Sequence, residues 1–342
     1  MTARAPSRTL SGEIALIDMI REQAKRIRPR SDALRLGIGD DCAVLRPKAG
    51  YEICVTTDFS LENRHFLRNL HAPESAGHRC LARGLSDLAA MGAEPLAVFL
   101  SLAIPGKLPA TWIERFLSGL LALARQYRVP LAGGDTAESP VAAGAGSGLI
   151  VADILAIGQV PRGKAVLRSG ARPGDALYVT GALGGAAAEL LASQNHPARF
   201  SRLAPAAAGH PHFYPEPRLA VGRRLRALAH AMIDISDGLS TDLTHLCRES
   251  GVAAVLDPAA IPIHPLAVLA RDPLDLALNG GEDYELLFAA PADARIPRRI
   301  AGTPIHRIGT MRRLTPHQPL IVLQDQQQEP VPVEPRGFEH FR

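Results

Sequence analysis

Apolar residues recur near helical spacing from residue 12 to 28, where Ile14, Ile17, Ile20, Ala24 and Ile27 predict an amphipathic helix. Tyr51 to Thr57 is a β-like run that ends at Asp58. Residues 74 to 91 read as a helix with Ala82, Leu85, Ala89 and Met91 among its apolar positions. Leu96 to Ile104 is a strongly apolar strand stopped by Pro105 and Gly106. Ala110 to Tyr127 predicts another helix, Val129 to Ala132 a short strand delivering Gly133, Gly134 and Asp135 to a loop, and Leu149 to Ile157 a further buried strand.

The pattern then changes. Gly158 to Gly174 is rich in Gly, Pro, Arg and Lys and reads as a crossover between domains. Ala176 to Thr180 restarts a strand, Ala182 to Ser193 is an Ala/Leu helix, and Asn195 to Pro217 is loop-like. Helix, strand (Ala231 to Ile235), helix (Leu239 to Ser250) and strand (Ala253 to Leu256) then alternate. Glu285 to Ala289 adds one more strand, and the Gln-rich stretch 325–328 an exposed turn. Two successive α/β domains account for this order, residues 1–160 and 161–342, and no short-period repeat runs through it.

Composition narrows the function classes. With 46% hydrophobic and 21% charged residues the chain is an ordinary globular sequence. The net charge of +4 invites a nucleic-acid reading. Yet the basic residues are scattered and aromatics make up only 4%, too few for a stacking groove. Cys42, Cys54, Cys80 and Cys247 form no C-x-x-C pair and no zinc spacing, which fits a reducing compartment. The first ten residues hold no apolar h-region, and no run approaches eighteen apolar residues. Cytoplasmic location is therefore expected, without nucleic-acid or membrane partners.

Candidate chemistry lies in short glycine/aspartate motifs: Gly37 to Cys42, Thr56 to Asp58, Leu85 to Gly92, Gly133 to Thr136, Asp234 to Leu239 and Gly280 to Glu285. Alone, each is a plausible turn. Most, however, sit where an apolar run ends, the usual ligand edge of an α/β sheet. Converging carboxylates would repel by roughly 4 kcal/mol per pair at 4 Å in an effective dielectric of 20. Such a cluster persists with cations in it, and an all-oxygen site suits Mg²⁺ or Mn²⁺. Asp87, among apolar helical neighbours, calls for a basic partner or a metal. Ser236 or Asp237 reads as a helix N-cap or as part of an anion site. The Gly280–Asp283 stretch fits a plain loop or a ligand loop, and a lone His65 has no chemical context of its own. Gly158 to Ala165 imitates a phosphate loop, but Ala165 replaces the Ser/Thr that binds magnesium and Pro161 removes a cradling N–H.

Taken in order, these motifs resemble the thiamine-monophosphate kinase family, within the superfamily of aminoimidazole-ribonucleotide synthetase and selenophosphate synthetase. The similarity runs from Gly12 and Glu13 to the closing Gly337–Phe341 and includes Arg168 to Asp175. It implies a two-domain PurM-like α/β fold, with an N-terminal metal- and nucleotide-binding domain whose sheet pairs in a homodimer. The C-terminal α/β domain completes the active site. The implied reaction is ATP- and Mg²⁺-dependent phosphorylation of thiamine monophosphate to thiamine diphosphate by direct in-line transfer. Carried over by position, Asp41, Thr56, Thr57, Asp58, Asp87, Asp135, Asp234 and Asp237 would ligate magnesium ions. Gly134, Asp135, Arg168 and Ser236 would contact ATP, and His65, Glu282 and Phe338 the thiamine substrate, with Asp87, Asp135 and Arg168 closest to the chemistry.

The acceptor is a phosphate oxygen, already anionic, so the obstacle is repulsion between polyanions rather than lack of a base. The chain departs from the family pattern at Phe59, Ser60, Arg64, Gly84 and Phe338, the last retaining a stacking face but losing a polar edge. Two other readings follow: a related kinase or ligase acting on another small phosphorylated or carboxylated acceptor, and a non-catalytic nucleotide-binding regulator.

Overall fold

A computed structural model of the protein describes residues 12–27, 33–141, 148–196, 200, 209–324 and 329–340. The expected turn at 325–328 and part of the loop-like 195–217 stretch lie outside the described residues. The chain divides into two α/β units. Of the described residues, those within 12–84 and 95–159, together with 196 and 200, form the first, and those within 85–94, 160–195 and 209–340 the second.

In the first unit the predicted amphipathic helix is α1 (Glu13–Ile27). A small antiparallel ribbon of β1 (Leu34–Leu36) and β2 (Val44–Leu45) follows. Next come β3 (Tyr51–Leu61), α2 (Pro73–Ala90), β4 (Glu94–Ile104), α3 (Ala110–Gln126), β5 (Leu131–Glu138) and β6 (Val151–Pro161). The sheet order is β3-β6-β4-β5, with β4 and β5 parallel. One face of β6 buries Ala152, Ile154 and Ala156. At Gly84, α2 comes so close to that face that an added Cβ would lie 3.2 Å from Ala156 and 3.3 Å from Ile154, which accounts for glycine there.

β3 inverts the usual amphipathic rule. Its exposed positions include the apolar Ile53, Val55 and Phe59, while the less exposed alternate positions are Cys54, Thr56, Asp58 and the buried Ser60. Strand alternation therefore sends Thr56 and Asp58 to one face and Thr57 to the other. The strand also corrects its sequence reading: it does not end at Asp58 but continues to Leu61. Aspartate is a frequent turn residue, but here the alternating pattern overrides that preference.

The second unit contains β7 (Ala176–Thr180), α4 (Gly185–Asn195), α5 (Leu219–Leu225), β8 (Ala231–Ile235), α6 (Leu239–Ser250) and β9 (Val252–Leu256). They are followed by α7 (Pro273–Asn279), β10 (Glu285–Ala290), β11 (Arg299–Ile300), β12 (Thr303–Arg313), β13 (Ile321–Leu323) and β14 (Val331–Pro332). The strands align as β14-β13-β9-β12-β7-β10-β8, with β11 attached to β12. All neighbouring pairs are antiparallel except β13 with β9. Leu177, Val179, Ile233, Ile235, Leu243, Leu246 and Leu287 are among the buried residues of its core. Each such side chain contributes about 1.5–3 kcal/mol by leaving water.

Two further expectations change. Gly133, Gly134 and Asp135 lie inside β5 rather than in a loop after it, because their backbones pair with Phe99, Leu100 and Ser101 of β4. The proposed crossover at 158–174 begins four residues late, since Gly158 to Pro161 complete β6. A strand also occupies the first half of the imitation phosphate loop, which removes the loop that motif would need.

Candidate active site

The first unit carries an open cleft of about 830 Å³ on the sheet. Its walls come from α1, the Gly37–Ala43 loop, the tip of β5 and the outward residues of β4 and β6. Five carboxylates line it, Glu13, Asp40, Asp41, Asp135 and Asp153. Among the described lining residues there is no Lys or Arg, and the Arg21 guanidinium of α1 lies against Gly39 at its edge. Asp40 accepts from the Asp41 N–H (3.0 Å) and Asp135 from the Thr136 N–H (2.9 Å), so each acid is fixed by the amide of the residue that follows it. Burial raises the Asp153 carboxyl above its ordinary range. Gly134 has φ +152, and a Cβ would sit 1.9 Å from the Leu100 carbonyl oxygen. Only glycine lets β5 run this close to β4 beside Asp135.

Thr56 and Asp58 face α2, where Asp58 Oδ1 lies 3.7 Å from Arg83 Nη2. Cys80 is on the same helix, its thiol pushed up to about 12, first by burial, against the opposing influence of Ser60 and Arg83. His65 follows β3 in a turn: its Nδ1 accepts from the Leu61 N–H (3.0 Å), and its carbonyl accepts from Arg79 (3.0 Å). Arg64 is exposed beside it, and Phe59 is on the outward face of β3.

The second unit gathers the remaining candidates around the end of β8. Asp234 is buried in that strand and accepts a 2.6 Å hydrogen bond from the Ser86 hydroxyl. Its carboxyl is pushed up to about 7 by burial and then by the charge of Asp87, against the Ser86 hydrogen bond and the Arg168 charge. Arg168 itself is exposed, and the preceding residue is anchored by the Met232 N–H donating to the Leu167 carbonyl (2.9 Å). Asp175, at the end of the same motif, is structural: it accepts from the Arg172 N–H (2.8 Å) and meets His230 Nδ1 at 2.9 Å.

The helix-cap reading of Ser236 and Asp237 is corrected. Gly238 is the N-cap residue of α6 and no N-cap side chain bonds back. Instead Asp242, inside the helix, turns one oxygen toward three backbone N–H groups, those of Ser236, Asp237 and Gly238, at 3.0, 3.0 and 3.1 Å. Burial, then the charges of Asp234 and Asp237, hold the Asp242 carboxyl well above its ordinary value. Sequence reasoning overlooked this residue, although an acid four positions into a helix is a known way of satisfying its first amides.

Two segments fasten onto the same turn. The Glu282 N–H donates to the Ser236 carbonyl (2.7 Å), and the Tyr284 N–H to the Ile235 carbonyl (2.9 Å). The Phe338 N–H donates to the Asp237 carbonyl (3.1 Å). A Cβ on Gly337 would lie 2.0 Å from that oxygen, so glycine permits the approach. Glu282 and Tyr284 hold φ of +68 and +50, a conformation side chains adopt at a cost of order 1 kcal/mol each. Between them the buried Asp283 accepts from the Gly184 N–H (2.7 Å) and the Ala186 N–H (3.2 Å), and burial pushes it up to about 7. Thus Asp87, Arg168, Asp234, Ser236, Asp237, Glu282 and Phe338 belong to the second unit, and Asp41, Thr56, Thr57, Asp58, His65, Gly134 and Asp135 to the first. Among the described residues no three His, Cys, Asp or Glu side chains converge as ligands of one ion.

Residues 39–163 match the N-terminal domain of AIR synthase related proteins, and residues 172–313 their C-terminal domain. Thiamine-monophosphate kinase of Escherichia coli (strain K12) is 37% identical over 329 residues, 92% of this chain and 95% of that protein. The Bacillus subtilis (strain 168) thiamine-monophosphate kinase is 33% identical over 327 residues, covering 92% and 97%. The crystal structure of thiamine-monophosphate kinase from Stenotrophomonas maltophilia K279a superposes with a TM-score of 0.76 at 37% identity, over 91% of this chain and 96% of that one. AaThiL complexed with AMPPCP and TMP gives 0.72 at 28% identity over 99% of both chains. The chain belongs to the AIR synthase related proteins and, within them, to the thiamine-monophosphate kinase family.

Proposed function

We propose that the protein transfers the γ-phosphoryl group of ATP to thiamine monophosphate, releasing ADP and thiamine diphosphate. The observation that carries this reading is the cleft in the first unit, where five carboxylates line the wall and the Arg21 guanidinium stands at the edge beside Gly39, in a chain of this family. Such a surface repels a bare polyphosphate and suits one that arrives with divalent cations. Magnesium is commonly held by one or two carboxylates plus substrate phosphates, so spaced acids fit it better than a closed cage. The residues offered to it are Asp41 and Asp135 in the cleft, Asp58 and Thr56 on one face of β3 and Thr57 on the other, and Asp87, Asp234 and Asp237 in the second unit. The buried Asp234, raised to about 7 beside Asp87, has the environment that a cation would relieve. The ion supplies charge neutralisation of the transferring group.

The protein's own groups then position and screen. Gly134 and Ser236 contact the nucleotide, and Arg168 meets phosphate oxygens. Asp135 and Asp87 stand nearest the reacting group, and His65, Glu282 and Phe338 recognise the acceptor. Residues 1–160 form the metal- and nucleotide-binding and dimerisation domain, and residues 161–342 complete the active site. The apolar outward face of β3, with Ile53 45%, Val55 59% and Phe59 58% exposed, supports pairing of two copies into a homodimer.

Incubation of the purified protein with ATP, Mg²⁺ and thiamine monophosphate tests the reading. Thiamine diphosphate and ADP should appear in equal amounts and only with a divalent cation. ATP turnover on a different phosphorylated or carboxylated acceptor would replace it with a related kinase or ligase. Tight ATP binding without any turnover would make the protein a regulator.

A further inference from the structure

The residues between α4 and α5 hold a chain of polar contacts that no sequence motif explains. Glu189 of α4, its side chain 3% exposed, accepts from the His212 N–H at 2.9 Å and pairs with the His210 imidazole. The His212 ring is itself 2% exposed, and its Nδ1 lies 3.1 Å from Glu282 Oε2. Phe213, fully buried, meets that ring edge-on with centroids 5.0 Å apart. An imidazole held by a neighbouring ring and by its own backbone has little rotamer freedom left.

Glu282 is thereby held at two points. Its backbone, at φ +68, is tied to the Ser236 carbonyl, and its carboxylate to His212. A glutamate on a loop otherwise distributes its charge over several rotamers, and fixing them at the moment of binding costs affinity. We infer that His212 is a positioning residue: its Nδ1–H fixes the Glu282 carboxylate in the orientation that receives the cationic, phosphorylated acceptor. This rests on the acceptor reading proposed above and extends it to a residue that does not itself touch substrate. Glu189 acts one step further back, by holding the backbone from which His212 reaches.

Two variants and one spectroscopic measurement test the inference. His212→Leu removes the donor, whereas in His212→Asn the side-chain amide nitrogen stands close to the place of Nδ1 and keeps it. We expect His212→Leu to raise KM for thiamine monophosphate about tenfold, with kcat and KM for ATP within about twofold of the parent. His212→Asn should restore most of the loss. Equal defects in both variants, or a KM for ATP that rises in parallel, would mark His212 as packing only and overturn the inference; so would an unchanged acceptor KM in His212→Leu. Independently of any turnover, the His212 imidazole followed by NMR should titrate at lower pH in Glu282→Gln than in the parent. An unchanged titration refutes the pairing even in an active enzyme. A parent protein inactive on thiamine monophosphate sinks the acceptor reading, and the titration then decides the His212–Glu282 coupling alone.

Discussion

The acids of the two units are built in opposite ways. In the first unit Asp40 and Asp135 line an open cleft, each held by one amide, that of the next residue: Asp41 N–H for Asp40 and Thr136 N–H for Asp135. In the second, Asp234, Asp242 and Asp283 are buried and enclosed by several donors: Ser86 on Asp234, three amides of the preceding turn on Asp242, two on Asp283. Exposed carboxylates can exchange a cation with solvent at little structural cost. Buried ones fix geometry and pass the cost of their charge into stability and proton affinity. The difference teaches that aspartates indistinguishable in a sequence divide into those that meet ligand and those that shape the surface the ligand meets.

Breaking the catalytic side of this contrast should give the largest effect. Asp87→Asn is expected to lower turnover roughly 10³-fold or more, the loss of several kcal/mol of charge stabilisation, with an unchanged melting temperature. A near-parental rate would make Asp87 structural and erase its distinction from Asp242. Asp135→Asn in the open cleft should also slow turnover and shift the Mg²⁺ midpoint upward, again at constant stability; a large drop in melting temperature would place it with the buried class.

Asp242→Ala should behave in the reverse manner. Three N–H groups lose their acceptor, and a loss of about 2–4 kcal/mol in denaturant unfolding is expected. Unaltered stability would show that water replaces the carboxylate without cost. Next in size is a pH effect at Asp283. Its folded carboxyl, raised to about 7, binds a proton more tightly than the unfolded one near 4, so protonation favours the fold. Stability from this group is complete below pH about 4 and is lost as pH rises to about 7, amounting to a few kcal/mol. Asp283→Asn should flatten the stability profile over that interval, and an identical slope in both proteins would dismiss the assignment. Smallest of all, Phe338→Leu should raise the acceptor KM about three- to tenfold, the value of a lost stacking face. An unchanged KM would remove Phe338 from the acceptor site.

Much of this contrast lies beyond what a linear pattern can express. Helices α1, α2 and α6 and strand β8 are legible because their apolar spacing is regular and their ends carry Pro, Gly or a change of period. β12 is not legible: a register shift between Arg307 and Gly309 puts Ile305, Ile308 and Met311 at intervals of three, which hides the strand period. Asp58 and Gly133–Asp135 read as turn residues and sit in strands, where pairing with neighbours decides. The candidate acids themselves stand out by motif. The residues that orient them, Ser86, Asp242 and His212, are read only after folding, since each acts on a partner outside its own sequence pattern or from within a helix interior.

The bonds from Asp242 have one more effect. A helix start normally offers its unclaimed amides to phosphate, and here three of the groups leading into α6 are already taken by a carboxylate. An anion approaching this turn therefore competes with the Asp242 carboxyl for those three amides, and the Ser236 hydroxyl and the first N–H groups of α6 itself are what the turn still offers. The turn thus enters the site already shaped by the protein's own acid, and its geometry does not wait for a ligand to set it.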